Sequence, residues 1–222
     1  MRNIYIYCEG ATEEAFVNNL LQDYFIATDV CVSPIVCRTS TKRGKKFTGG
    51  VSNFESFKSE VTRICKEHAH ESVTMMFDYY ALPEDFLGQD LVEKDVYKKV
   101  KHIERQIEQK IGMRNFRACL SVHEFEALLF SFPDSFSLAE KSMVPLIKKI
   151  KDDFSNPEFI NNSAKTAPSK RIYACYPRYS KTRDGIIIAK DIGIQRMLAE
   201  CKHFKEWIEW IVESGRRGLK NG

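Results

Sequence analysis

Short apolar runs alternate with amphipathic stretches along the first 130 residues of the chain. The runs are rich in β-branched and aromatic residues, which is typical of buried strands. Between them, apolar residues recur three and four positions apart, which predicts helices with one buried face. The predicted strands cover residues 3–8, 30–37, 72–77 and 116–122.

Helical spacing predicts helices over residues 12–23, 54–68 and 94–111, and a further helix that starts at His123. Thr12 is the expected N-cap of the first, because a hydroxyl oxygen can accept a hydrogen bond from a free backbone N–H of the first turn. Strands that are separated by helices predict an α/β fold, a mostly parallel sheet flanked by helices.

The pattern changes at about residue 131, after which helical segments dominate. Residues 137–154 and 192–211 have helical spacing, and a polar connector with three prolines separates them. We therefore predict an α/β core over residues 1–130. A mainly helical C-terminal subdomain over residues 131–222 is expected to pack on that core.

The formal net charge of +4 neither demands nor excludes nucleic acid as a partner. Two stretches are locally basic, and their side chains are candidates for contacts with a nucleic-acid backbone. For any one of these residues taken alone, a solvated surface position is the better interpretation. The candidates for nucleic-acid binding are Arg43, Lys45, Lys46, Lys170 and Arg171.

Seven cysteines are present, an odd number without a CxxC pair, so we expect reduced thiols and no zinc motif. Cys119 lies in an apolar run and is interpreted as a small core residue. No apolar run approaches the ~20 residues that a membrane span requires, and the N-terminus lacks a signal-peptide pattern. A cytoplasmic protein without a membrane partner is the expectation.

Acidic residues follow three of the predicted strands: Glu9, Asp78, and the pair Glu124 and Glu126. The carboxyl ends of parallel strands share one edge of a sheet, so these carboxylates can converge. Oxygen ligands without histidine or cysteine spacing favour Mg²⁺ or Mn²⁺. Glu13 follows Glu9 by four residues, where a charge at a helix start is the alternative interpretation.

The segment HEFE is expected to open a helix. On a helix His123 and Glu126 are three positions apart and share a face, whereas Glu124 points elsewhere. Such acids also suit the positive end of a helix, and a lone histidine is more often structural than catalytic. Both interpretations stay open at this point.

The segment EGATE at residues 9–13 resembles the first motif, EGxT(D/E), of TOPRIM domains, the metal-binding folds of topoisomerases, primases and overcoming-lysogenization-defect nucleases. In that fold a DxD pair follows a later strand. Here Asp78 stands at the first of these positions and Tyr80 at the second. Asp85, or an acid of the HEFE segment, is the candidate replacement.

Four further segments, DYYALPEDFLG, HEFEALLFS, TAPSKRI and YSKTRDG, look like those of the bacterial family catalogued as domain of unknown function 4276. The resemblance implies a TOPRIM-like core with an added helical part. It also implies nuclease activity, an ABC/AAA-type ATPase partner and a role in defence against phage. Glu9, Glu13 and Asp78 are assigned by motif position, and Glu126 by likeness to a later acidic motif.

The sequence is compatible with three functions. The first is a Mg²⁺-dependent nuclease of DNA or RNA, in which Lys181 and neighbouring basic residues hold the phosphate backbone. The second is a non-catalytic subunit that binds nucleic acid or a nucleotide inside an ATPase complex. The third, a phosphotransferase or phosphatase that acts on small nucleotides, is weaker, because the chain lacks the motif GxxxxGK[ST]. The candidate catalytic residues are Glu9, Glu13, Asp78, His123, Glu126 and Lys181, and the candidate metal ligands are Glu9, Asp78, Glu124 and Glu126.

Overall fold

The structure, a computed structural model, describes residues 2–37, 50–160, 163 and 165–217. The predicted nucleic-acid contacts Arg43, Lys45 and Lys46 lie outside the described residues. The other two predicted nucleic-acid contacts, Lys170 and Arg171, lie within the described residues.

A five-stranded sheet forms the centre of the fold, and every strand pairing in the described ranges is parallel. The main strand order is β2-β1-β3-β4, and β5 continues the far edge by pairing with β3. The mostly parallel α/β sheet that the sequence predicts is confirmed. The strands are β1 (Arg2–Cys8), β2 (Val30–Val36), β3 (Ser72–Asp78), β4 (Phe116–Arg117) and β5 (Leu120–Ser121).

Helices cover both faces of this sheet. Over the described residues, none of them is both long enough and apolar enough to cross a membrane. Helix α7 contains a break at Gly193, whose φ of 72° lies in the left-handed region. The helices are α1 (Ala11–Phe16), α2 (Gln22–Ile26), α3 (Phe54–Glu67), α4 (Val96–Ile111), α5 (Met143–Asp152), α6 (Pro168–Cys175), α7 (Ile186–Glu200) and α8 (Lys202–Arg217).

Two hydrophobic layers sandwich the sheet. Alternate residues of β1 point to opposite faces, so Ile4 and Ile6 join one layer and Tyr7 joins the other. The Tyr7 layer contains the buried sides of α3 and α4, whereas the Ile4 layer contains those of the C-terminal helices. The C-terminal helices therefore share a core with the sheet. Each fully buried large apolar side chain in this core contributes about 1.5–3 kcal/mol to stability.

One polar contact fixes the last helix in that layer. Trp207 Nε1 of α8 donates a hydrogen bond to Thr74 Oγ1 of β3 at 3.0 Å, and both side chains are buried. A buried donor and acceptor that satisfy each other set the position of α8 along the strand, because any shift would leave both unpaired. The contact joins residues 133 positions apart in the chain.

The first helix differs from the prediction at its start and in its length. Gly10, not Thr12, is the N-cap, and Thr12 lies inside α1. A π-helical turn at Val17–Leu21 then connects α1 to α2, so the helical path continues to Ile26. Glu13 explains the early start, because its carboxylate accepts the Gly10 N–H at 2.9 Å and replaces a side-chain cap.

The HEFE segment also differs from the predicted helix. His123 has a φ of 67° and Glu124 is extended, so the helical part, a 3₁₀ helix, begins only at Phe125 and ends at Ser131. The predicted strand over residues 116–122 forms two short pairings, β4 and β5. The predicted helix over residues 137–154 is shorter, as α5, and the one over 192–211 is divided between α7 and α8.

Candidate functional site

Glu9 and Asp78 lie side by side at the carboxyl edge of the sheet. Glu9 follows β1, Asp78 is the last residue of β3, and these strands are neighbours. The Asp78 N–H donates a hydrogen bond to Glu9 Oε2 at 3.1 Å. Because β2 lies on one side of β1 and β3 on the other, the winding of the chain reverses here. Ligands of open α/β sheets bind at such a reversal.

A second acidic segment reaches the same place from the end of β5. The Phe125 N–H donates to Asp78 Oδ1 at 2.8 Å, so Asp78 caps the 3₁₀ helix that begins there. Glu126 lies in the first turn of that helix and has no solvent exposure. The Tyr80 N–H donates to the carbonyl of His123 at 2.9 Å, which ties the segment to the end of β3.

Glu124 points toward α6 rather than into solvent. Its carboxylate accepts hydrogen bonds from the Ser169 N–H at 2.8 Å and from Ser169 Oγ at 3.1 Å. Both residues are buried. This contact brings the start of α6, and the exposed Lys170 after it, toward the acidic edge. The sequence analysis did not single out Ser169, although it lies in the segment TAPSKRI that carries the family resemblance.

Lys181 is the basic member of the cluster. It begins a π-helical turn, Lys181–Gly185, and its Nζ lies 2.8 Å from Glu126 Oε1 and 2.9 Å from Glu126 Oε2. Its charge also acts on Glu9, Glu13 and Asp78. Burial lowers the pKa of Lys181, but attraction to Glu126 and Asp78 outweighs burial and raises it overall. We call Glu9, Glu13, Asp78, Glu124, Glu126 and Lys181 the acidic cluster.

Burial raises the pKa of four of these acids: Glu9, Glu13, Asp78 and Glu126. Burial raises the pKa of Glu9 and of Glu126 to about 7. Burial also raises the pKa of Asp78, and repulsion from Glu13 and Glu9 adds to the effect. One ammonium cannot neutralise five carboxylates, so the cluster attracts further positive charge, either as protons or as a cation.

The side chains of the acidic cluster are spread rather than gathered around one point. In the described parts of the chain, no three of its acids bring carboxylate oxygens within 4.8 Å of one another. The hydrogen bonds given above account for this spread, because Glu13, Asp78 and Glu124 each accept a backbone N–H and Glu126 faces Lys181. Joint ligation of one ion therefore requires side-chain rotation.

Another set of side chains meets the distance requirement for a metal ion. Glu104 of α4, Cys119 between β4 and β5, and His203 of α8 are all buried, and their ligand atoms lie within 4.8 Å of one another. This group could hold a metal ion. The sequence analysis missed it and took Cys119 for a core residue, because spacings of 15 and 84 positions match no metal motif.

The remaining candidates lie outside this edge or support other elements. Arg171 Nε donates to the Thr166 carbonyl at 2.8 Å, and its guanidinium lies over the Phe154 ring. Asp85 Oδ2 accepts the Phe54 N–H at 2.7 Å, so it caps the start of α3. Arg171 and Asp85 thus both have structural contacts.

The geometry defines an α/β protein with a buried acidic cluster at the switch point of a parallel sheet. The family described as domain of unknown function (DUF4276) matches residues 8–212, so the chain belongs to that family. The match spans the whole cluster, from Glu9 to Lys181. Comparisons with curated proteins and with solved structures gave no match.

Proposed function

We propose that the chain is a divalent-metal-dependent nuclease that hydrolyses phosphodiester bonds of DNA or RNA at the acidic cluster. One observation carries the proposal: five carboxylates lie along the carboxyl edge of the sheet around the switch point between β1 and β3, with one ammonium to balance them. Such an excess of buried acid is costly to a protein unless a cation or protons offset it.

Glu9, Asp78 and Glu126 would hold Mg²⁺ or Mn²⁺, because oxygen-only donors of this charge suit hard divalent cations. The bound ion would lower the pKa of a water molecule and neutralise charge on the phosphate. Glu124 is a further candidate ligand once its carboxylate leaves Ser169. The all-oxygen donor set suits the ion, and the three side chains would have to rotate to reach it together.

Other residues of the chain would act on the substrate. Lys181 would exchange Glu126 for a phosphate oxygen and stabilise the charge that develops there. Lys170 is exposed on α6, directly after the Ser169 that contacts Glu124, and would contact the nucleic-acid backbone. Glu13 and His123 are the candidates to orient the attacking water, as both are buried at this edge.

The proposal is tested by cleavage of labelled DNA and RNA with Mg²⁺ or Mn²⁺ by the purified chain. Asp78→Asn and Glu9→Gln remove charge from the cluster with little change in shape, and each is expected to lower cleavage by at least about a hundredfold. Asp134→Asn is the matched control, because Asp134 is an exposed acid paired with Lys148. Equal cleavage by the control and both cluster variants would refute the assignment.

A second function is favoured by Tyr80, which stands where TOPRIM domains have a second metal-binding aspartate. We propose as the alternative a non-catalytic subunit that binds nucleic acid or a nucleotide with the same edge. Binding that survives EDTA and the Asp78→Asn substitution, without cleavage, would favour it. Metal-dependent cleavage would exclude it.

The TOPRIM-like relationship, the ABC/AAA-type ATPase partner and the role in phage defence are proposals that rest on the sequence resemblance. Phage infection of cells with and without the gene tests the last of them. If Asp78→Asn removes protection while the protein level stays unchanged, the acidic cluster is the effector site. Protection that is independent of Asp78 would separate defence from the proposed chemistry.

A further inference from the structure

A second buried group of possible metal ligands lies at the β4–β5 edge of the sheet, where α4 and α8 approach each other from opposite faces. Its three members are Glu104, Cys119 and His203. They come from three segments, α4, the β4–β5 connection and α8. Tertiary packing alone brings a carboxylate, a thiol and an imidazole together here.

Glu104 is held in place by the backbone. Its Oε1 accepts the Leu120 N–H at 2.8 Å and also contacts His203 Nε2 at 2.8 Å. In metal sites, ligating carboxylates are themselves oriented by such outer hydrogen bonds. Leu120 directly follows Cys119, so the same backbone segment that offers the thiol also fixes the carboxylate.

His203 is buried at the start of α8 and stacks against Tyr97. Within the residues that the structure describes, its Nδ1 has no hydrogen-bond partner. The ring is therefore oriented by its Nε2 contact with Glu104 and by packing. This contact requires a shared proton, or a cation that binds both groups, because two acceptors cannot lie 2.8 Å apart without one.

The group borders a groove of about 570 Å³ that is also lined by Arg105, Arg114 and Arg117. Glu104, Cys119 and His203 all line the groove. The groove supplies a route of entry for an ion and room for a water molecule as a fourth ligand. Three protein ligands with one open position are the usual arrangement of a zinc site that is not closed by the protein.

We propose that Glu104, Cys119 and His203 form a zinc site with an open coordination position that faces this groove. The mixture of thiolate, imidazole and carboxylate selects a borderline-soft ion such as Zn²⁺ over Mg²⁺. On binding, the thiol proton of Cys119 and the proton shared by Glu104 and His203 both pass to solvent, so Cys119 ligates as the thiolate, Glu104 as the carboxylate and His203 as the neutral imidazole through Nε2. The ion connects α4, the β4–β5 segment and α8.

The adjustment that binding needs is small. Zinc–ligand distances of about 2.0–2.3 Å place neighbouring ligand atoms about 3.3–3.8 Å apart. The Glu104–His203 contact of 2.8 Å must therefore lengthen, and Cys119 Sγ must approach from no more than 4.8 Å. Binding would therefore require rotation of Glu104 and Cys119 about their side-chain bonds, over shifts of at most about 1.5 Å.

Metal analysis of the purified full chain and reconstitution with Co²⁺ test the site. We expect one equivalent of zinc per chain, and a sulfur-to-cobalt charge-transfer band in the Co²⁺ form. Cys119→Ser, which nearly preserves shape, is expected to remove the band, and His203→Gln is expected to reduce metal content severalfold. Cys65→Ser is the control, because Cys65 is a buried thiol on the inner face of α3.

The outcomes separate this site from the acidic cluster. The charge-transfer band should persist in Asp78→Asn, even if that variant loses cleavage. Loss of cleavage alone would therefore leave the zinc assignment intact. A folded wild-type chain that takes up neither zinc nor cobalt would overturn the proposal and leave a buried ion pair of Glu104 and His203. A band that persists in Cys119→Ser, or cobalt uptake without a band, would overturn it equally.

Discussion

Lys181 Nζ lies within 2.9 Å of both carboxylate oxygens of Glu126, a side chain that is fully removed from solvent. The two residues are 55 positions apart in the chain. Lys181 is one-third exposed, so its ammonium faces the solvent side of the cluster while Glu126 faces the core. The pair therefore occupies the place where an incoming cation or phosphate would compete for one partner.

Lys181→Met tests that competition. Removing the ammonium leaves more negative charge in the cluster, so we expect tighter Mn²⁺ binding by about tenfold, or ~1.4 kcal/mol. Without metal, the unpaired Glu126 is expected to lower the free energy of unfolding by up to about 3 kcal/mol. Cleavage should nevertheless fall, because the phosphate contact is lost. Calorimetric Mn²⁺ titration, thermal melting and the cleavage assay measure the three effects.

Lys148→Met is the control, because Lys148 pairs with Asp134 on an exposed surface. Exposed pairs contribute at most about 1 kcal/mol, so this variant should match the wild type in all three measurements. Unchanged Mn²⁺ affinity in Lys181→Met would contradict the assignment of Glu126 as a ligand.

The raised pKa values predict how stability depends on pH. Burial raises the pKa of Glu9 and of Glu126 from 4.5 to about 7. Between these values the folded protein keeps protons that the unfolded chain releases, so the free energy of unfolding falls as pH rises through this window. The slope is at most about 1.4 kcal/mol per pH unit for each group. Urea unfolding from pH 4.5 to 8 measures it.

Glu9→Gln combined with Glu126→Gln removes both groups, and the difference from wild type isolates their contribution to the slope. Added Mg²⁺ should stabilise the wild type more at pH 8 than at pH 5, because protons compete with the ion for the same oxygens. Identical slopes in the wild type and the double variant would contradict the raised pKa values of these two acids.

Asp78→Asn is expected to stabilise the metal-free protein while it abolishes metal binding. The amide keeps an oxygen that can accept the Phe125 N–H but removes a charge that Glu9, Glu13 and Glu126 repel. Functional sites often carry such a cost in stability. A rise in melting temperature of a few degrees, together with loss of Mn²⁺ heat in calorimetry, is the expected pair of results. Lower stability with Mn²⁺ binding retained would show that Asp78 is structural.

Lys170 and Arg171 are adjacent in sequence but are expected to behave differently. Lys170→Gln should weaken binding of single-stranded DNA and reduce its salt dependence, without a change in melting temperature. Arg171→Gln should cost about 0.5–1 kcal/mol of stability, because Arg171 contacts Phe154 and Thr166. Fluorescence anisotropy across a range of salt concentrations and thermal melting measure the two effects. The reverse pattern would assign the nucleic-acid contact to Arg171.

Much of the sheet and part of the site follow from local sequence patterns. The run of apolar residues before Glu9 and before Asp78 predicted both strands and therefore both strand ends. The prediction of a helix that starts at His123 was wrong, because His123 adopts a left-handed backbone conformation. The carbonyl of His123 accepts a hydrogen bond from the Tyr80 N–H instead. That partner belongs to another strand end, and no local pattern in the segment reveals it.

The positions of acids after buried parallel strands can be predicted from the chain alone, because the apolar runs and the residues that end them are local features. The contacts of Lys181 with Glu126 and of Ser169 with Glu124 arise only in the folded protein. Folding also brings Glu104, Cys119 and His203 together from separate segments. The physical reason is that these contacts depend on how the C-terminal helices pack on the sheet. Their packing is set by burial summed over the whole core, which no local spacing of residues encodes.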